Sequence, residues 1–426
     1  MLTSTGAAAA PFAPIKVLDL ELSKPLADVT GLDRYATVLG IVRLHGAPVG
    51  YVRVPVHGGR CGAAGLRHAA LAEHAPALVR HLLADALASP HRGGLDRRDL
   101  VEARHPGRDG PWPLVTVAVC TRDRTDDLAR CLDSLVELDY PALDLLVVDN
   151  APATDATERL VHTRADRVRY VREPRPGLDW ARSRAIAEAR GEIVAYTDDD
   201  TVVDRGWARA LAAVFADAPE VMAVTGLVVP YELETEAQWL FEEYGGFGRG
   251  FERRWYRVAA GEPAARRYGG LGQFGTGANM AFRRSFLSRF GGFDPALDVG
   301  TVTGGAGDLE MFFRVLHNGE TLVYEPSAIV RHRHRRGYAE LRTQIMNNGV
   351  SYAALLERNV VAYPHDAARL IANALWWLWR WNVRPLLGTL LWRGAVPRDL
   401  MVAEIAGALR GPGRYRRARR HAAALA

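Results

Sequence analysis

Between residues 114 and 200 the chain alternates short apolar runs with amphipathic stretches, and this alternation constrains the fold more than any other feature of the sequence. Four runs have the length and apolar character of buried strands: 115–120, 145–148, 168–171 and 193–196. Helices are predicted between them, at residues 125–136, 155–163 and 178–189, the first with Thr125 as its N-cap. This β-α-β-α-β-α-β order predicts an α/β fold, with a mostly parallel sheet flanked by helices.

The flanking segments predict two further parts of the chain. Residues 35–44 and 49–56 are β-rich runs on either side of a Gly-Pro turn, which predicts a hairpin, and an alanine-rich helix is predicted at 69–88. Arg, Gly, Pro and Asp dominate 89–113, as in a linker. We expect an N-terminal α+β domain, an α/β domain and a helical C-terminal region, at residues 1–110, 111–345 and 346–426.

The positive charge of the chain comes almost entirely from arginine. Only Lys16 and Lys24 are lysines among 54 basic residues, and the net charge is +5. Arginine presents a rigid fork that suits phosphate groups. No recognised nucleic-acid-reading motif accompanies the charge, so we expect no nucleic-acid partner.

Cysteine usage and hydropathy indicate a cytoplasmic protein. The chain has three cysteines without CxxC spacing, which argues against a disulfide framework or a zinc-cysteine site. The N-terminus lacks the charged and apolar regions of a signal peptide, and no apolar run is long enough to span a membrane. We expect a cytoplasmic location, with peripheral contact at the inner face of the membrane as one option.

Acidic and polar residues follow three of the predicted strands directly. The first strand leads into Thr121 and Arg122, the second into Asp149, and the fourth into Asp198-Asp-Asp. Ligands of open parallel sheets bind beyond the carboxyl ends of the strands, where these side chains converge. Clustered carboxylates repel one another unless a cation intervenes, so the pattern predicts a divalent metal held by carboxylates and substrate phosphates.

These strand ends, together with motifs further along the chain, resemble family 2 glycosyltransferases of the GT-A fold. The matching segments follow one another in the family's order over about 230 residues: Val117-Ala-Val-Cys-Thr-Arg-Asp-Arg, Leu145-Leu-Val-Val-Asp-Asn, Gly177-Leu-Asp-Trp-Ala-Arg-Ser-Arg, Asp198-Asp-Asp, Gly277-Ala-Asn-Met-Ala-Phe-Arg-Arg, Gly291-Gly-Phe-Asp and Gly304-Gly-Ala-Gly-Asp-Leu-Glu-Met. Ser183 stands where the family usually has asparagine. The aspartate run corresponds to the family's DxD motif.

The resemblance implies a nucleotide-sugar donor, with a UDP-sugar as first choice. It assigns the donor to seven residues: Thr121, Arg122, Asp149, Arg182, Asp198, Asp199 and Asn279. Asp149 is expected to accept a hydrogen bond from the base, and Asp198 to meet the ribose or the metal. Asp200 and His332 are the expected ligands of Mn²⁺ or Mg²⁺, which assists departure of the diphosphate. His334 is a weaker candidate, on the same face as His332 if the strand continues.

Asp308 occupies the position of the family's catalytic base, which takes the acceptor's proton in an inverting transfer. The family usually has Glu-Asp at this point, whereas Gly307 precedes Asp308 here. A carboxylate partner is therefore missing from the sequence motif. Glu310 is a candidate assistant, and an ordinary helix-surface charge is the equal alternative.

Two other patterns weigh on the function. Gly270-Leu-Gly-Gln-Phe-Gly fits GxGxxG, but no predicted strand precedes it, so we interpret it as a turn. The processive members' QxxRW motif is absent from the sequence, which favours transfer of a single sugar. A sugar-nucleotide pyrophosphorylase would need a glycine-rich, lysine-containing loop after the first strand, where none occurs. A non-catalytic nucleotide-sugar or carbohydrate/lipid-binding protein stays as the alternative function.

The C-terminal region is rich in tryptophan and arginine. Five tryptophans fall within 17 residues, interleaved with arginines: Trp376, Trp377, Trp379, Trp381 and Trp392. Two interpretations stay open, contact with a lipid surface and packing on the catalytic domain, with the lipid surface preferred. The acceptor is not identified; a glycan, a lipid-linked intermediate, a peptide or a small molecule would each fit. The sequence assigns no chemistry to the N-terminal domain.

Overall fold

A computed structural model describes residues 12–88, 111–258, 271–391 and 396–425. The chain divides into two compact units. The first comprises residues 1–106, 232–242 and 334–341, and the second comprises residues 107–231, 243–333 and 342–426. The first unit thus takes in two segments that we placed in the α/β domain, and the predicted boundaries at residues 110 and 345 stay a proposal.

The first unit is built on a small sheet and one long helix. Its elements are β1 (Ile15–Glu21), β2 (Thr37–Leu44), β3 (Ala47–Pro55) and α1 (Ala63–Ala88). β1 runs parallel to β2, and β2 and β3 form the predicted hairpin. α1 packs mainly against β3, and it begins six residues before the predicted start. Buried Leu20, Val38, Val52 and Leu66 lie in the core of this unit.

The second unit contains a nine-stranded sheet. Its strands are β4 (Val115–Thr121), β5 (Leu143–Asn150), β6 (Val168–Glu173), β7 (Ile193–Asp198), β8 (Thr201–Val203), β9 (Val221–Pro230), β10 (Arg254–Tyr256), β11 (Met280–Arg283) and β12 (Thr321–His332). The order across the sheet is β10-β12-β9-β11-β7-β4-β5-β6, and β8 pairs with β12. β7, β4, β5 and β6 are mutually parallel, as predicted, and antiparallel β11 joins them to β9.

The remaining helices follow α1 in the chain, and most of them belong to the second unit. They are α2 (Thr125–Val136), α3 (Ala156–His162), α4 (Leu178–Glu188), α5 (Trp207–Asp217), α6 (Glu236–Tyr244), α7 (Arg284–Phe290), α8 (Gly307–His317), α9 (Tyr338–Ala362), α10 (Ala367–Trp377), α11 (Arg384–Leu391), α12 (Arg398–Arg410) and α13 (Arg414–Leu425). Contrary to prediction, Thr125 is not the N-cap of α2 but its first residue; Arg124 is the N-cap, without a side-chain capping bond. The α/β class and the helical C-terminal region are confirmed.

The chain reverses its direction of travel across the sheet between β4 and β7. It proceeds from β4 to β5 and β6 on one side, then returns to place β7 on the other side of β4. A crevice opens at such a switch point, beyond the carboxyl ends of the strands. The register sets Thr121 opposite Asp149 and Cys120 opposite Asp198, so the polar residues after three strands meet there.

The antiparallel half of the sheet brings distant residues to the same crevice. Immediately after the aspartate run the chain forms β8, which pairs with the end of β12 so that Thr201 lies opposite His332. This three-residue strand places His332 beside Asp200, which precedes it by more than 130 positions. Buried side chains from both halves of the sheet, with Trp207 of α5 among them, form one continuous core.

The C-terminal helices meet at glycines. Added Cβ atoms at Gly349 of α9 and Gly407 of α12 would lie 2.1 Å from the carbonyl oxygen of Glu404 and 2.0 Å from that of Met346, respectively. The two helix backbones therefore approach more closely than any side chain allows. Among the described residues, every helix is too short or too polar to span a bilayer.

Candidate active site

Asp198, Asp200 and His332 converge at the carboxyl end of β7. Each offers one ligand atom, and these atoms all lie within 4.8 Å of one another. Oδ1 of Asp200 is 3.3 Å from Nε2 of His332. The side chain of Asp198 is 33% exposed, whereas that of Asp200 is buried, so the cluster is open to the crevice on the Asp198 side. The structure thus brings together the two predicted metal ligands and Asp198.

Asp200 is held as an anion by two neighbours, His332 and Arg124. Burial alone would raise its pKa, but His332 and the guanidinium of Arg124 hold the pKa of Asp200 well below its usual range. Nη2 of Arg124 donates to Oδ2 of Asp200 at 3.1 Å. A carboxylate that is already deprotonated is a ready oxygen ligand for a hard divalent cation.

Asp199 points away from the metal cluster and fixes the backbone around it. Its Oδ2 accepts a hydrogen bond from the hydroxyl of Thr121 at 2.7 Å, and its Oδ1 accepts one from Nη1 of Arg124 at 2.6 Å. Burial raises the pKa of Asp199 to about 7, and Arg124 opposes that rise. Thr121 and Asp199, both predicted donor contacts, are therefore bonded across β4 and β7, which gives them a positioning role in this structure.

Arg124 is the residue at this site to which the sequence pattern assigned no role. It contacts Asp127, Asp199 and Asp200 with one guanidinium group. Desolvation opposes its charge, yet the three carboxylates raise the pKa of Arg124 above its usual range, so it stays charged. The available signal was a basic residue three positions after an apolar strand, whose neighbouring strand leads into three aspartates.

The predicted nucleoside contacts lie at the ends of β4 and β5. Arg122 is exposed, with Nε 3.8 Å from Asp123, so its guanidinium can reach a ligand. Asp149 is fully buried. Its Oδ2 accepts from the hydroxyl of Tyr170 at 2.9 Å, while its Oδ1 accepts no hydrogen bond from the described residues. Asp149 thus has the unused acceptor that the prediction requires, and a base would reach it only after neighbouring groups move.

Arg182 lies between Asp198 of the acidic cluster and Asp179 of α4. Its Nη1 donates to Asp179 at 3.1 Å, and its Nη2 lies 3.8 Å from Asp198. The guanidinium also lies over the ring of Phe293, 5.4 Å from its centroid. It is nearly buried, and despite desolvation the surrounding aspartates raise its pKa above the usual range. Arg182 is therefore a fixed positive charge beside Asp198.

Asp308 sits in the first turn of α8 with both carboxylate oxygens engaged by backbone amides. The amide of Gly277 donates to Oδ2 at 2.6 Å, and that of Leu309 donates to Oδ1 at 2.8 Å. Gly277 has no Cβ, and an added one would lie 2.5 Å from Nη2 of Arg182 and 3.1 Å from Oδ2 of Asp308. Glycine at this position therefore lets the predicted base and the arginine approach the same point.

The glycine before Asp308 makes room for a carboxylate from another helix. A Cβ on Gly307 would lie 1.9 Å from Oδ2 of Asp179. Asp179 is buried in the first turn of α4, and its Oδ2 accepts no hydrogen bond from the described part of the chain. Burial first, and then the charge of Asp298, raises the pKa of Asp179. The carboxylate of Asp179 thus occupies the space that a side chain at position 307 would need.

The side chain of Asn279 is hydrogen-bonded to neighbouring parts of the second unit. It is fully buried, and its Oδ1 accepts from the indole nitrogen of Trp207 at 2.8 Å. Its Nδ2 donates to the carbonyl oxygens of Leu227 at 3.0 Å and Ala328 at 2.8 Å. These bonds use both amide protons, so the structure gives Asn279 a structural role in place of the predicted donor contact.

Two weaker candidates also have structural partners. Glu310 is buried against Arg314 and Arg358, so it is neither an assistant base nor a surface charge. β12 ends at His332, and the expected alternation stops there. His334 lies in the first unit, where its Nε2 is 2.6 Å from Glu242.

The 3₁₀ turn at Leu271–Gln273 falls within the GxGxxG segment, and residues 259–270 lie outside the described part.

The cluster fits a hard divalent cation. Two carboxylates and one imidazole offer two oxygens and a nitrogen from a convergent set, and one of the carboxylates is already anionic. Mg²⁺ and Mn²⁺ are bound by one or two carboxylates together with substrate phosphates. The partial exposure of Asp198 leaves room for those phosphates.

The site coincides with a recognised sequence family. Residues 116–291 match the sequence model of glycosyl transferase family 2. This segment, which carries the aspartate run and Arg182, therefore belongs to that family, as the resemblance predicted.

Two characterised relatives are glycosyltransferases. The chain is 25% identical over 235 residues to the glucosyl-dolichyl phosphate glucuronosyltransferase of Haloferax volcanii, covering 51% of this chain and 69% of that protein. It is 26% identical over 261 residues to the pre-mycofactocin glycosyltransferase of Mycobacterium tuberculosis, covering 61% of this chain. The match spans half the length of the mycobacterial protein.

Among solved structures the chain is similar to the mannosyltransferase PcManGT from Pyrobaculum calidifontis, solved in complex with GDP-Man and Mn²⁺. The two are 21% identical, with a TM-score of 0.44, and the match covers 84% of this chain and 95% of that one.

The structural role of Asn279 gives a stability prediction. Asn279→Ala leaves the indole of Trp207 and two strand carbonyls without partners, so we expect the free energy of unfolding to fall by at least about 2 kcal/mol. Urea unfolding of the variant measures this loss. Donor affinity per folded molecule should stay at the wild-type value. A stable variant with weakened donor binding would instead restore Asn279 to the donor site.

The contact between Gly307 and Asp179 is tested by a double-mutant cycle. Gly307→Ala forces Asp179 to move, so we expect a loss of about 1–3 kcal/mol of unfolding free energy in the wild-type background. In the Asp179→Ala background the added methyl has room and should cost far less. Urea unfolding of the four proteins measures the coupling, and strictly additive losses would contradict the proposed contact.

Proposed function

We propose that the protein transfers a single sugar, with inversion, from a nucleotide-sugar donor to an acceptor hydroxyl or phosphate. The observation that carries this proposal is the convergence of Asp198, Asp200 and His332 at the switch point of the sheet. A base candidate, Asp308, lies near the same guanidinium group of Arg182 that approaches Asp198. Membership of residues 116–291 in glycosyl transferase family 2 supports the same activity.

Asp200, His332 and Asp198 would hold Mn²⁺ or Mg²⁺ against the donor diphosphate. The bound ion would neutralise the charge that develops on the departing nucleoside diphosphate. Mn²⁺ is our first candidate because an imidazole completes the set, and nitrogen ligands suit manganese better than magnesium. Arg124 keeps Asp200 deprotonated, and Arg182 adds a fixed positive charge next to Asp198.

Asp308 would act as the general base. Two backbone amides hold its carboxylate in one orientation, as a base must be held to take the acceptor's proton while that oxygen attacks the anomeric carbon. Burial raises the pKa of the neighbouring Asp179 carboxyl, and Arg182, which donates to it at 3.1 Å, opposes that rise. Inversion follows if the acceptor attacks directly, without a covalent sugar intermediate.

The unused hydrogen-bond acceptor on Asp149 supports a donor whose nucleobase presents a ring N–H. Uracil, thymine and guanine each have such a group, and Oδ1 of Asp149 is available to accept from it. A UDP-sugar is our first choice of donor, and exposed Arg122 would lie near the diphosphate or the base. GDP- and dTDP-sugars are the alternatives.

Replacing the proposed base separates catalysis from binding. Asp308→Asn keeps the shape and removes proton acceptance, so we expect donor hydrolysis to water to fall by roughly two to four orders of magnitude while donor affinity stays near wild type. Release of nucleoside diphosphate and calorimetric donor binding measure the two quantities. Asp126→Asn, an exposed first-turn aspartate of α2, serves as the matched control and should behave as wild type.

A non-catalytic binding protein is the alternative on this fold. It would bind the donor with metal yet release no nucleoside diphosphate in the wild-type protein. Loss of donor binding in Asp308→Asn would instead give that residue a structural role.

The acceptor that we propose is a lipid-linked molecule at a membrane surface. On α10 and the π-helical turn Leu378–Val383, Trp376, Trp379 and Trp381 are 58%, 53% and 58% exposed, next to exposed Leu375. Trp377, in contrast, stacks on Tyr352 of α9. Tryptophan is favoured at lipid interfaces because one end of its ring is apolar and the other polar.

Charge is segregated onto the same end of the chain. Residues 367–426 contain eleven arginines and two acidic residues, while the whole chain carries only +5, so residues 1–366 are net acidic. Exposed Arg380 and Arg384 flank the tryptophans, and α13 exposes four more arginines. Anionic head groups would attract this region by about 1 kcal/mol for each arginine near the surface. The archaeal relative is named for a dolichyl phosphate substrate, which accords with a lipid acceptor.

Vesicle binding tests this surface. We expect Trp376→Ala combined with Trp379→Ala to weaken binding to anionic phosphatidylglycerol vesicles by about tenfold or more, because two large apolar side chains no longer enter the interface. Trp255→Ala removes an equally exposed tryptophan on β10 and is the control. Co-sedimentation measures affinity. Equal loss in both variants, or wild-type binding that is insensitive to lipid charge, would contradict the proposal.

A further inference from the structure

A second convergent cluster lies in the first unit, within the part of the chain to which the sequence assigned no chemistry. His45, His81 and Asp85 place one ligand atom each within 4.8 Å of one another. Nδ1 of His45 is 2.7 Å from Oδ2 of Asp85, and Nε2 of His81 is 3.0 Å from the same oxygen. The rings of the two histidines are 5.6 Å apart.

Local structure explains how these residues meet. His81 and Asp85 are separated by four positions on α1, so they share one face of the helix. His45 comes from the turn between β2 and β3, a segment far away in sequence that packs beside the helix. The three side chains are nearly buried, with Asp85 the most enclosed.

The turn that carries His45 is held in an unfavourable conformation. His45 has φ of +52°, in the left-handed region that side chains other than glycine rarely adopt. Glu21 fixes this geometry, because its carboxylate accepts from the amides of His45 at 3.1 Å and Gly46 at 2.9 Å. Both residues of this two-residue hairpin turn have positive φ, as the twist of such a hairpin requires, so the turn fixes the position of His45.

The donor set matches a borderline transition metal. Two imidazole nitrogens and one carboxylate oxygen are the ligands of many zinc sites, in which a fourth ligand or water completes a tetrahedron. In a tetrahedral zinc site with bonds of about 2.0–2.1 Å, neighbouring ligand atoms are separated by about 3.4 Å. The observed separations of 2.7 and 3.0 Å need only small side-chain shifts to reach that value.

We propose that His45, His81 and Asp85 bind a divalent transition-metal ion, with Zn²⁺ the best match, at a site separate from the donor site. The second site differs in chemistry from the aspartate cluster of the second unit, where oxygen ligands predominate and suit Mn²⁺ or Mg²⁺. The ion would tie the β2–β3 turn to α1. It would stabilise the first unit by closing the loop of chain between residues 45 and 81.

The competing account is that Asp85 merely accepts hydrogen bonds from two histidines. It explains the same distances without an ion, and it predicts no zinc affinity. Metal binding to the whole 426-residue chain therefore separates the two accounts. The donor site is disabled first by Asp198→Asn with Asp200→Asn, so that any zinc bound to this background reports on the histidine cluster.

Zn²⁺ is titrated into this chelator-treated background in competition with a chromophoric chelator, and circular dichroism verifies the fold of each variant. We expect one zinc ion per chain, and an affinity loss of about 100-fold or more when His81→Gln is added, since removal of a direct ligand exceeds the effect of a supporting residue. Asp85→Asn should act likewise. His68→Gln, an exposed histidine on the same helix, is the control and should leave affinity unchanged.

A second readout uses Co²⁺ in place of Zn²⁺. The tetrahedral site should give visible absorption bands that His81→Gln abolishes. Absence of zinc binding in the folded background, or equal zinc affinity with and without His81, would overturn the proposal. Neither result depends on glycosyl transfer, so failure here is distinguishable from failure of the proposed function.

Discussion

The site depends on how the sheet accommodates three consecutive aspartates at the end of β7. The three carboxylates have basic neighbours: Arg124 contacts both Asp199 and Asp200, His332 lies beside Asp200, and Arg182 lies beside Asp198. Carboxylates without such neighbours would take up protons at this buried site, because desolvation disfavours the charged form. The balance between burial and these neighbours therefore sets the pKa of each aspartate. Asp200 stays charged, while the pKa of Asp199 rises to about 7.

This pairing also explains why distant parts of the chain must meet here. His332 arrives through the pairing of β8 with β12, and Arg182 arrives on α4, the helix that also presents Asp179 to Gly307. The metal cluster, the arginine and the proposed base thus form one connected set. Changing any one of them alters the charge balance of its neighbours, so substitutions at these positions should not have additive effects.

The sequence allowed the four parallel strands β4–β7 and their strand-end residues to be predicted, because strand periodicity and the DxD pattern are local signals; the other five strands of the sheet were not predicted. It allowed His332 to be predicted only through family resemblance. The role of Arg124 and the placement of Asp179 beside Gly307 could not be predicted, since they depend on contacts between residues more than 70 positions apart. Asn279 lies in a recognisable sequence motif, and the motif predicted a contact with the donor. In the structure its side-chain amide is hydrogen-bonded to Trp207 and to two strand carbonyls.

The central claim is that Asp200 and its neighbours bind the donor through a divalent metal. A thermal-shift comparison of wild type and Asp200→Asn, with UDP-, GDP- and dTDP-sugars in the presence and absence of Mn²⁺, tests it most directly. A donor at a hundred times its Kd should stabilise the wild-type fold by about 2.7 kcal/mol, only with Mn²⁺, and not stabilise the variant. Stabilisation that is independent of Mn²⁺, or equal in the variant, would contradict the account.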